Sequence, residues 1–165
     1  MATPTNLPAA FVQGQKNTAA LMNDLRGAFR VLQVVNNFYT TQTSSSSSTF
    51  ADTGLSLAIT PTSSSSKILV MVNQAGCYKT TNNTLLKLKS FLGSSELLQF
   101  EGYGGFTNST ADIAFGTCSV TYLDSPATAS SVIYKTQFNS NNNNAATYVQ
   151  TAASASTITL MEISA

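Results

Sequence analysis

Much of this chain alternates apolar and polar residues with a period of two. The segment "LSLAI" places Leu55, Leu57 and Ile59 on one face of an extended chain, and "KILVMVNQ" and "SVIYKTQF" repeat the pattern. This period is typical of a β-strand with one buried face, because successive side chains of a strand point to opposite sides. We therefore predict strands here rather than helices or linkers.

Two serine runs, at residues 44–48 and 63–66, bracket the first of these strands. Such runs often indicate flexible linkers, but the alternating segments beside them favour strand edges and loop tips. Further apolar segments, among them "TLLKLKSFL", "AFGTCSVTYL" and "STITLMEI", bring the expected total to about eight to ten short strands. That spacing predicts a mainly β fold, an antiparallel β-sandwich of jelly-roll type.

The segment "LLKLKSFLGSSELLQFEG" predicts a hairpin whose register is set by burial of its apolar residues. A loop at residues 93–95 would keep the leucines inside and the lysines outside. The predicted cross-strand pairs are Leu92 with Glu96, Leu88 with Phe100 and Lys87 with Glu101. The predicted inner face holds Leu86, Leu88, Leu92, Leu98 and Phe100.

The N-terminal part has a different period. Thr18 is a suitable N-cap for a short helix, in which Met22, Leu25, Phe29 and Leu32 follow the spacing of a coiled-coil seam. A helix this short is marginal alone and has to pack on a partner. It either covers its own sandwich or bundles with copies of itself around a symmetry axis, and the spacing does not distinguish the two.

Before this helix the chain is expected to form an extended arm. Its prolines disfavour regular structure, and Leu7, Phe11 and Val12 are apolar residues suited to anchoring on a partner surface. We therefore divide the chain into an arm and short helix for attachment and trimerisation, residues 1–30, and a β-sandwich domain, residues 31–165.

The composition limits the classes of partner. Hydrophobic residues make up 42% of the chain but charged residues only 9%, so Ser, Thr, Asn and Gln have to supply the polar surface. With a formal net charge of +1, the chain has no basic excess that would attract nucleic acid or an anionic membrane. Apolar runs are too short for a membrane span, and the N-terminus is a poor signal peptide. We expect no nucleic-acid or membrane partner.

The chain lacks histidine, which excludes the catalytic triads and metal sites that depend on it. Paired carboxylates, as in glycosidases, are the remaining enzymatic option. Glu96 and Glu101 would point to opposite faces of a strand, while Asp52 and Asp124 lie beside turn residues and are expected to cap the local backbone. We therefore expect no catalytic residue, no metal and no cofactor, and predict that the protein is not an enzyme.

Cys77 and Cys118 are the only cysteines. A single disulfide is one alternative. Two free thiols are the favoured expectation, because a chain made in a reducing cytosol rarely keeps a disulfide.

Several motifs together resemble a family of small virion proteins of tailed bacteriophages. They run from "MNDLRGAFRVLQVV" through "SSSSSTFADTGLSLAITPTSSSSKILV" to "TYLDSPATAS", "YKTQF" and a final "ITLMEI", and so cover nearly all of the chain from Met22 onward. The resemblance implies a β-rich homotrimer displayed on the virion surface after synthesis in the host cytoplasm. It carries over no catalytic residue, because the motifs contain none.

Two roles fit this resemblance. A capsid decoration or cement protein would use the arm and helix to fasten a β-sandwich trimer to the major capsid protein. A short tail fibre or receptor-binding protein would recognise a host surface glycan, and exposed aromatics such as Tyr103 and Phe106 in "GYGGF" would favour that role. We expect these two aromatics instead to plug the end of their own sandwich. Decoration is the favoured expectation, because the chain is compact and has no long shaft.

Overall fold

The computed structural model describes residues 18–19, 30–140 and 145–164. These residues form ten β-strands, with a short 3-10 turn at Thr151–Ala153 before the last of them. The strands are β1 (Val31–Tyr39), β2 (Thr43–Ser45), β3 (Ala51–Ile59), β4 (Lys67–Lys79), β5 (Leu86–Leu92), β6 (Ser95–Gly104), β7 (Ile113–Asp124), β8 (Val132–Ser140), β9 (Thr147–Val149) and β10 (Ser156–Ile163).

The strands form two antiparallel sheets that pack face to face. The six-stranded sheet has the order β1-β10-β4-β9-β2, and β7 pairs with the other edge of β4. The four-stranded sheet has the order β3-β8-β5-β6. The long central strand β4 has 13 residues and pairs with β10, β7 and β9. The antiparallel β-sandwich predicted from the sequence is therefore confirmed.

Two apolar clusters fill the space between the sheets. The main core is formed by Leu55, Ile59, Ile68, Val70, Val72, Tyr134, Ile158 and Leu160. A smaller cluster, formed by Cys77, Leu86, Leu88, Phe138 and Val149, fills the other end of the sandwich. Most of these residues alternate along their strands with more exposed ones. The period of two in the sequence is therefore the period of burial.

A layer of buried polar side chains lies between the two clusters. On β8, Thr136 falls between a residue of the main core and one of the smaller cluster, and Gln74 does the same on β4. Thr136 Oγ1 donates to Gln74 Oε1 at 2.9 Å, and Gln74 Nε2 donates to Ser156 Oγ at 2.9 Å. The Thr53 hydroxyl lies 2.6 Å from that of Thr136. These hydrogen bonds offset the cost of burying polar groups in the core.

Hydrogen bonds also join the two sheets at their margins. Gln33 of β1 donates to the Thr60 carbonyl in the loop after β3 at 2.8 Å, and Asn37 of β1 donates to the Ser56 carbonyl of β3 at 2.9 Å. On the other side, the Tyr134 hydroxyl of β8 donates to Asp124 of β7 at 2.6 Å. Burial, and then the Asp124 carboxylate, raise the pKa of Tyr134, so its hydroxyl remains a donor at neutral pH.

The serine runs lie where the sequence predicts them. Ser44 and Ser45 belong to the short strand β2, and residues 63–66 form the turn region before β4. The serine runs are therefore parts of the packed fold and not tethers between domains.

The predicted register of the β5–β6 hairpin is wrong. The observed pairs are Leu92 with Ser95, Phe91 with Glu96, Ser90 with Leu98, Lys89 with Gln99, Leu88 with Glu101 and Leu86 with Gly104. None of the three predicted pairs occurs, although the predicted inner residues Leu86 and Leu88 are fully buried.

Extra residues in β6 explain this error. The turn spans only residues 93 and 94, and β6 then contributes more residues than β5 at three register shifts. As a consequence Leu97, and not Leu98, packs against the main core. Glu96 lies beside Lys89 and forms an ion pair with it at 2.7 Å. A regular alternation cannot reveal such bulges, because each one reverses the faces of the residues that follow.

Most of the predicted N-terminal arm and helix lies outside the described residues. Outside the described residues lie the arm positions Leu7, Phe11 and Val12 and the seam positions Met22, Leu25 and Phe29. Leu32 is described, and it lies in β1 rather than on a helix. The assignment of Leu32 to a helical seam is therefore wrong, because pairing of β1 with β10 already begins at Val31.

Candidate assembly surface

The outer face of the six-stranded sheet carries a row of apolar side chains across four strands. The register places Val34 of β1 beside Met161 of β10, Met161 beside Leu69 of β4, and Leu69 beside Leu123 of β7. Their neighbours along each strand face the core, so these four side chains point away from it. Val34 and Leu123 are 54% and 56% exposed. We call these four residues the outer row.

Other apolar side chains extend the outer row on β1. Phe38 lies on the same face as Val34 and is 63% exposed, and Val31, at the start of β1, is also exposed. Lys67 lies on this face of β4 and donates to Ser125 Oγ at 2.7 Å. Exposed apolar side chains grouped on one face of a sheet often mark an interaction surface.

The outer row was not predicted from the sequence, although a signal for it is present. In "VLQVVNNFY" the apolar residues Val34 and Val35 are adjacent, as are Phe38 and Tyr39. Adjacent apolar residues on a strand occupy both of its faces. Val35 and Tyr39 pack on the main core, which leaves Val34 and Phe38 facing outward.

Tyr103, with the half-buried Phe106 beside it, forms a second exposed feature at the end of β6. Their ring centroids lie 4.6 Å apart, and the Tyr103 side chain is 61% exposed. The expectation that Tyr103 plugs its own sandwich is therefore wrong. We call this pair the aromatic corner.

A buried lysine holds the loop that follows the aromatic corner. Lys79, at the end of β4, is fully buried, and burial lowers the pKa of its ammonium group. Its Nζ donates to the Thr107 hydroxyl at 2.7 Å and to the carbonyls of Thr81 and Thr110, each at 3.2 Å. These contacts attach the loop between β6 and β7 to the end of β4. The aromatic corner lies at the start of this attached loop.

The described carboxylates are each engaged by neighbouring groups. Their partners are Lys135 and Gln137 for Asp52, Lys89 for Glu96, the Tyr103 amide for Glu101, the Tyr78 hydroxyl for Asp112, the Tyr134 hydroxyl for Asp124, and Gln33 and Thr62 for Glu162. Asp24 lies outside the described residues.

The expected local capping by Asp52 and Asp124 is not what the structure shows. Both carboxylates bind side chains of β8: Asp52 lies 2.8 Å from the Lys135 ammonium and 2.7 Å from the Gln137 amide. Burial acts to raise the pKa of Asp52, but its hydrogen bonds to Lys135 and Gln137 outweigh that effect and lower it. These carboxylates therefore stabilise contacts between strands.

Within residues 18–19, 30–140 and 145–164, no group of three or more Cys, Asp or Glu side chains is arranged to hold a metal ion. Over the same ranges no helix is both long and apolar enough to cross a membrane.

Comparison of the chain with protein-family models and with curated proteins gave no significant match. The outer row, the aromatic corner and the motifs of the sequence are therefore the features that indicate a function.

Proposed function

We propose that the protein is a non-enzymatic structural protein of a tailed-phage virion, a capsid decoration or cement protein that assembles as a homotrimer. The observation that carries the proposal is the outer row of exposed apolar side chains on the six-stranded sheet. The motif resemblance supports the virion setting and the trimer.

In this proposal a second copy of the chain covers the outer row. Burying an exposed aliphatic side chain gains roughly 1–2 kcal/mol, at about 25 cal/mol per Å² of apolar area. The polar residues between the apolar ones on this face include the neutral Asn36 and Thr159. Lys67 is the charged residue described on this face, and its ammonium group is bound by Ser125. An oppositely charged partner is therefore not required. A closed symmetric oligomer repeats the same contact at each interface, and modest gains then add up.

Attachment to the particle is assigned to the N-terminal arm, with the major capsid protein as partner. The apolar arm residues Leu7, Phe11 and Val12 can bury against a capsid surface without using the sandwich. The sandwich then faces outward, where its low charge and many hydroxyl groups give a neutral, soluble exterior.

A second candidate role is favoured by the aromatic corner. Exposed tyrosine rings bind sugar rings by stacking on their apolar faces, and Tyr103 is exposed near the end of β6, just before the loop that Lys79 binds. This arrangement would suit a short tail fibre or receptor-binding protein that recognises a host glycan. Decoration is preferred because the outer row spans four strands, whereas the aromatic corner consists of two residues, and because the chain is compact and has no long shaft.

Immunogold electron microscopy of phage particles distinguishes the two roles. An antibody against the sandwich should label the whole capsid surface if the protein decorates the shell. Label confined to the tail tip would reject decoration and favour receptor binding. Mass spectrometry could detect the protein in purified particles while the antibody labels no surface of intact particles. That result would place the protein in the interior and contradict both roles.

A further inference from the structure

Cys77 and Cys118 lie on neighbouring strands at an irregular point of the sheet. Gln74 of β4 pairs with Cys118 of β7, but the next pair is Cys77 with Gly116. Between these two pairs β4 contributes one residue more than β7. Cys77 and Cys118 therefore lie diagonally across the bulge, and both pack in the smaller apolar cluster.

The two thiols differ in their surroundings. Cys77 is fully buried, and its Sγ donates to the Gln74 carbonyl at 3.4 Å. Cys118 is only half-buried, and its Sγ lies 3.7 Å from Glu101 Oε2 on β6. The neighbouring Cys118 thiol, and then burial, raise the pKa of Cys77, whereas the neighbouring Cys77 thiol lowers the pKa of Cys118. Cys118 is therefore the thiol that reacts first.

We propose that Cys77 and Cys118 form an oxidant-sensitive dithiol that closes to a disulfide bond between β4 and β7 when the protein meets a hydroperoxide. The free dithiol is the form in a reducing compartment. Closure would lock the bulged end of β4 to β7.

The reaction has two steps with a hydrogen peroxide oxidant. The Cys118 thiolate attacks one peroxide oxygen, the O–O bond breaks, and one water leaves once hydroxide is protonated, so that Cys118 becomes a sulfenic acid. The Cys77 sulfur, losing its proton, then attacks the Cys118 sulfur and displaces the hydroxyl as a second water. Two thiols and one peroxide thus give one disulfide and two waters, and the two electrons pass from sulfur to peroxide.

Glu101 acts on this reaction through its contact with Cys118. Its carboxylate accepts the Cys118 S–H, and a negative charge there disfavours the thiolate that attacks peroxide. Replacing Glu101 by glutamine removes the charge while keeping a group of the same size. Glu101 therefore slows oxidation of the pair.

The test uses the full-length protein, reduced and then freed of reductant. After treatment with hydrogen peroxide, intact mass should fall by two hydrogen atoms and denatured protein should show no free thiol. The Cys77→Ser variant should instead gain one oxygen on Cys118, which a sulfenic-acid probe would trap. Any of three results would overturn the proposal: two free thiols in the parent protein after treatment, oxygen added to the parent protein without a disulfide, or disulfides between chains.

Alkylation by iodoacetamide tests the role of Glu101. Iodoacetamide should alkylate Cys118 at least about threefold faster in the Glu101→Gln variant than in the parent protein. Glu96→Gln is the matched control, because Glu96 lies on the same strand and pairs with Lys89, and its rate should match the parent. Equal rates for all three proteins would overturn the role assigned to Glu101.

Discussion

The Thr136 hydroxyl donates a hydrogen bond of 2.9 Å to the side-chain carbonyl of Gln74 and so joins the two sheets through the middle of the core. Both residues are fully buried. The Gln74 amide in turn donates a hydrogen bond to the Ser156 hydroxyl. The polar partners therefore lie on β8, β4 and β10 at one level of the sandwich. This layer fixes how the sheets are aligned, because a shifted alignment would leave buried polar groups unpaired.

Replacing Thr136 by valine should destabilise the protein by about 2 kcal/mol, because the buried Gln74 carbonyl loses its donor while the shape is kept. Thr136→Ser keeps the hydroxyl and should cost about 1 kcal/mol for one lost methyl group. Urea unfolding of the two variants measures both values. A valine variant more stable than the serine variant would show that the hydrogen bond does not stabilise the fold.

Glu162 is predicted to make stability depend on pH. Its buried carboxylate accepts hydrogen bonds from Gln33 at 2.6 Å and from the Thr62 amide and hydroxyl, each at 2.7 Å. Burial acts to raise the pKa of Glu162, but hydrogen bonds from Ser66, Gln33 and Thr62 outweigh it and lower the pKa below its usual 4.5. A lowered folded-state pKa adds stability above pH 4.5, and this contribution is lost as pH falls through the folded-state value.

Glu162→Gln should therefore cost about 2 kcal/mol at pH 7, and the difference from the parent protein should shrink toward pH 3. Glu96→Gln is the surface control and should change stability by less than about 1 kcal/mol. Urea unfolding at both pH values gives the comparison. A difference that grows on acidification would mean that the sign of the linkage is wrong.

Gly54 and Gly93 make a matched pair for a test of packing. Both have positive φ, 89° and 58°, where alanine is strained. At Gly54 a Cβ would lie 2.5 Å from Tyr39 Cζ, whereas at Gly93 nothing lies within 4 Å. Gly93→Ala should cost about 1 kcal/mol, and Gly54→Ala at least about 2 kcal/mol more. Equal melting temperatures for the two variants would contradict the contact with Tyr39.

Removing residues 2–15 should leave the sandwich folded, because the described strands begin at Val31. The far-UV circular dichroism and melting temperature of the truncated protein should match those of the full chain. In a pelleting assay with phage particles that lack the protein, the truncated form should bind at least about tenfold more weakly, a loss of about 1.4 kcal/mol. Equal binding would show that the arm is not the anchor.

The sequence was informative wherever strands are regular. Leu55 and Ile59 on β3, and Ile68 and Val70 on β4, are buried as their alternation predicts, because the pleat of a strand fixes which side chains share a face.

Features that depend on contacts between segments distant in the sequence were harder to predict. The bulges of β6 and the diagonal approach of Cys77 to Cys118 follow from pairing with a particular neighbour. Leu32 fits a helical spacing locally, but tertiary pairing with β10 places it in a strand. The outer row was hidden because its four residues come from four distant segments, and only the register aligns them.

The central claim is that copies of this chain associate through the outer row, and light scattering of the purified protein at micromolar concentration tests it most directly. The parent protein should have the mass of three chains, and a Val34→Asp/Leu123→Asp double variant should have the mass of one while keeping its circular dichroism spectrum. Ile133→Asp is the control, because Ile133 is 51% exposed on the opposite sheet, and this variant should remain trimeric. A monomeric parent protein, or a double variant that is still trimeric, would contradict the account.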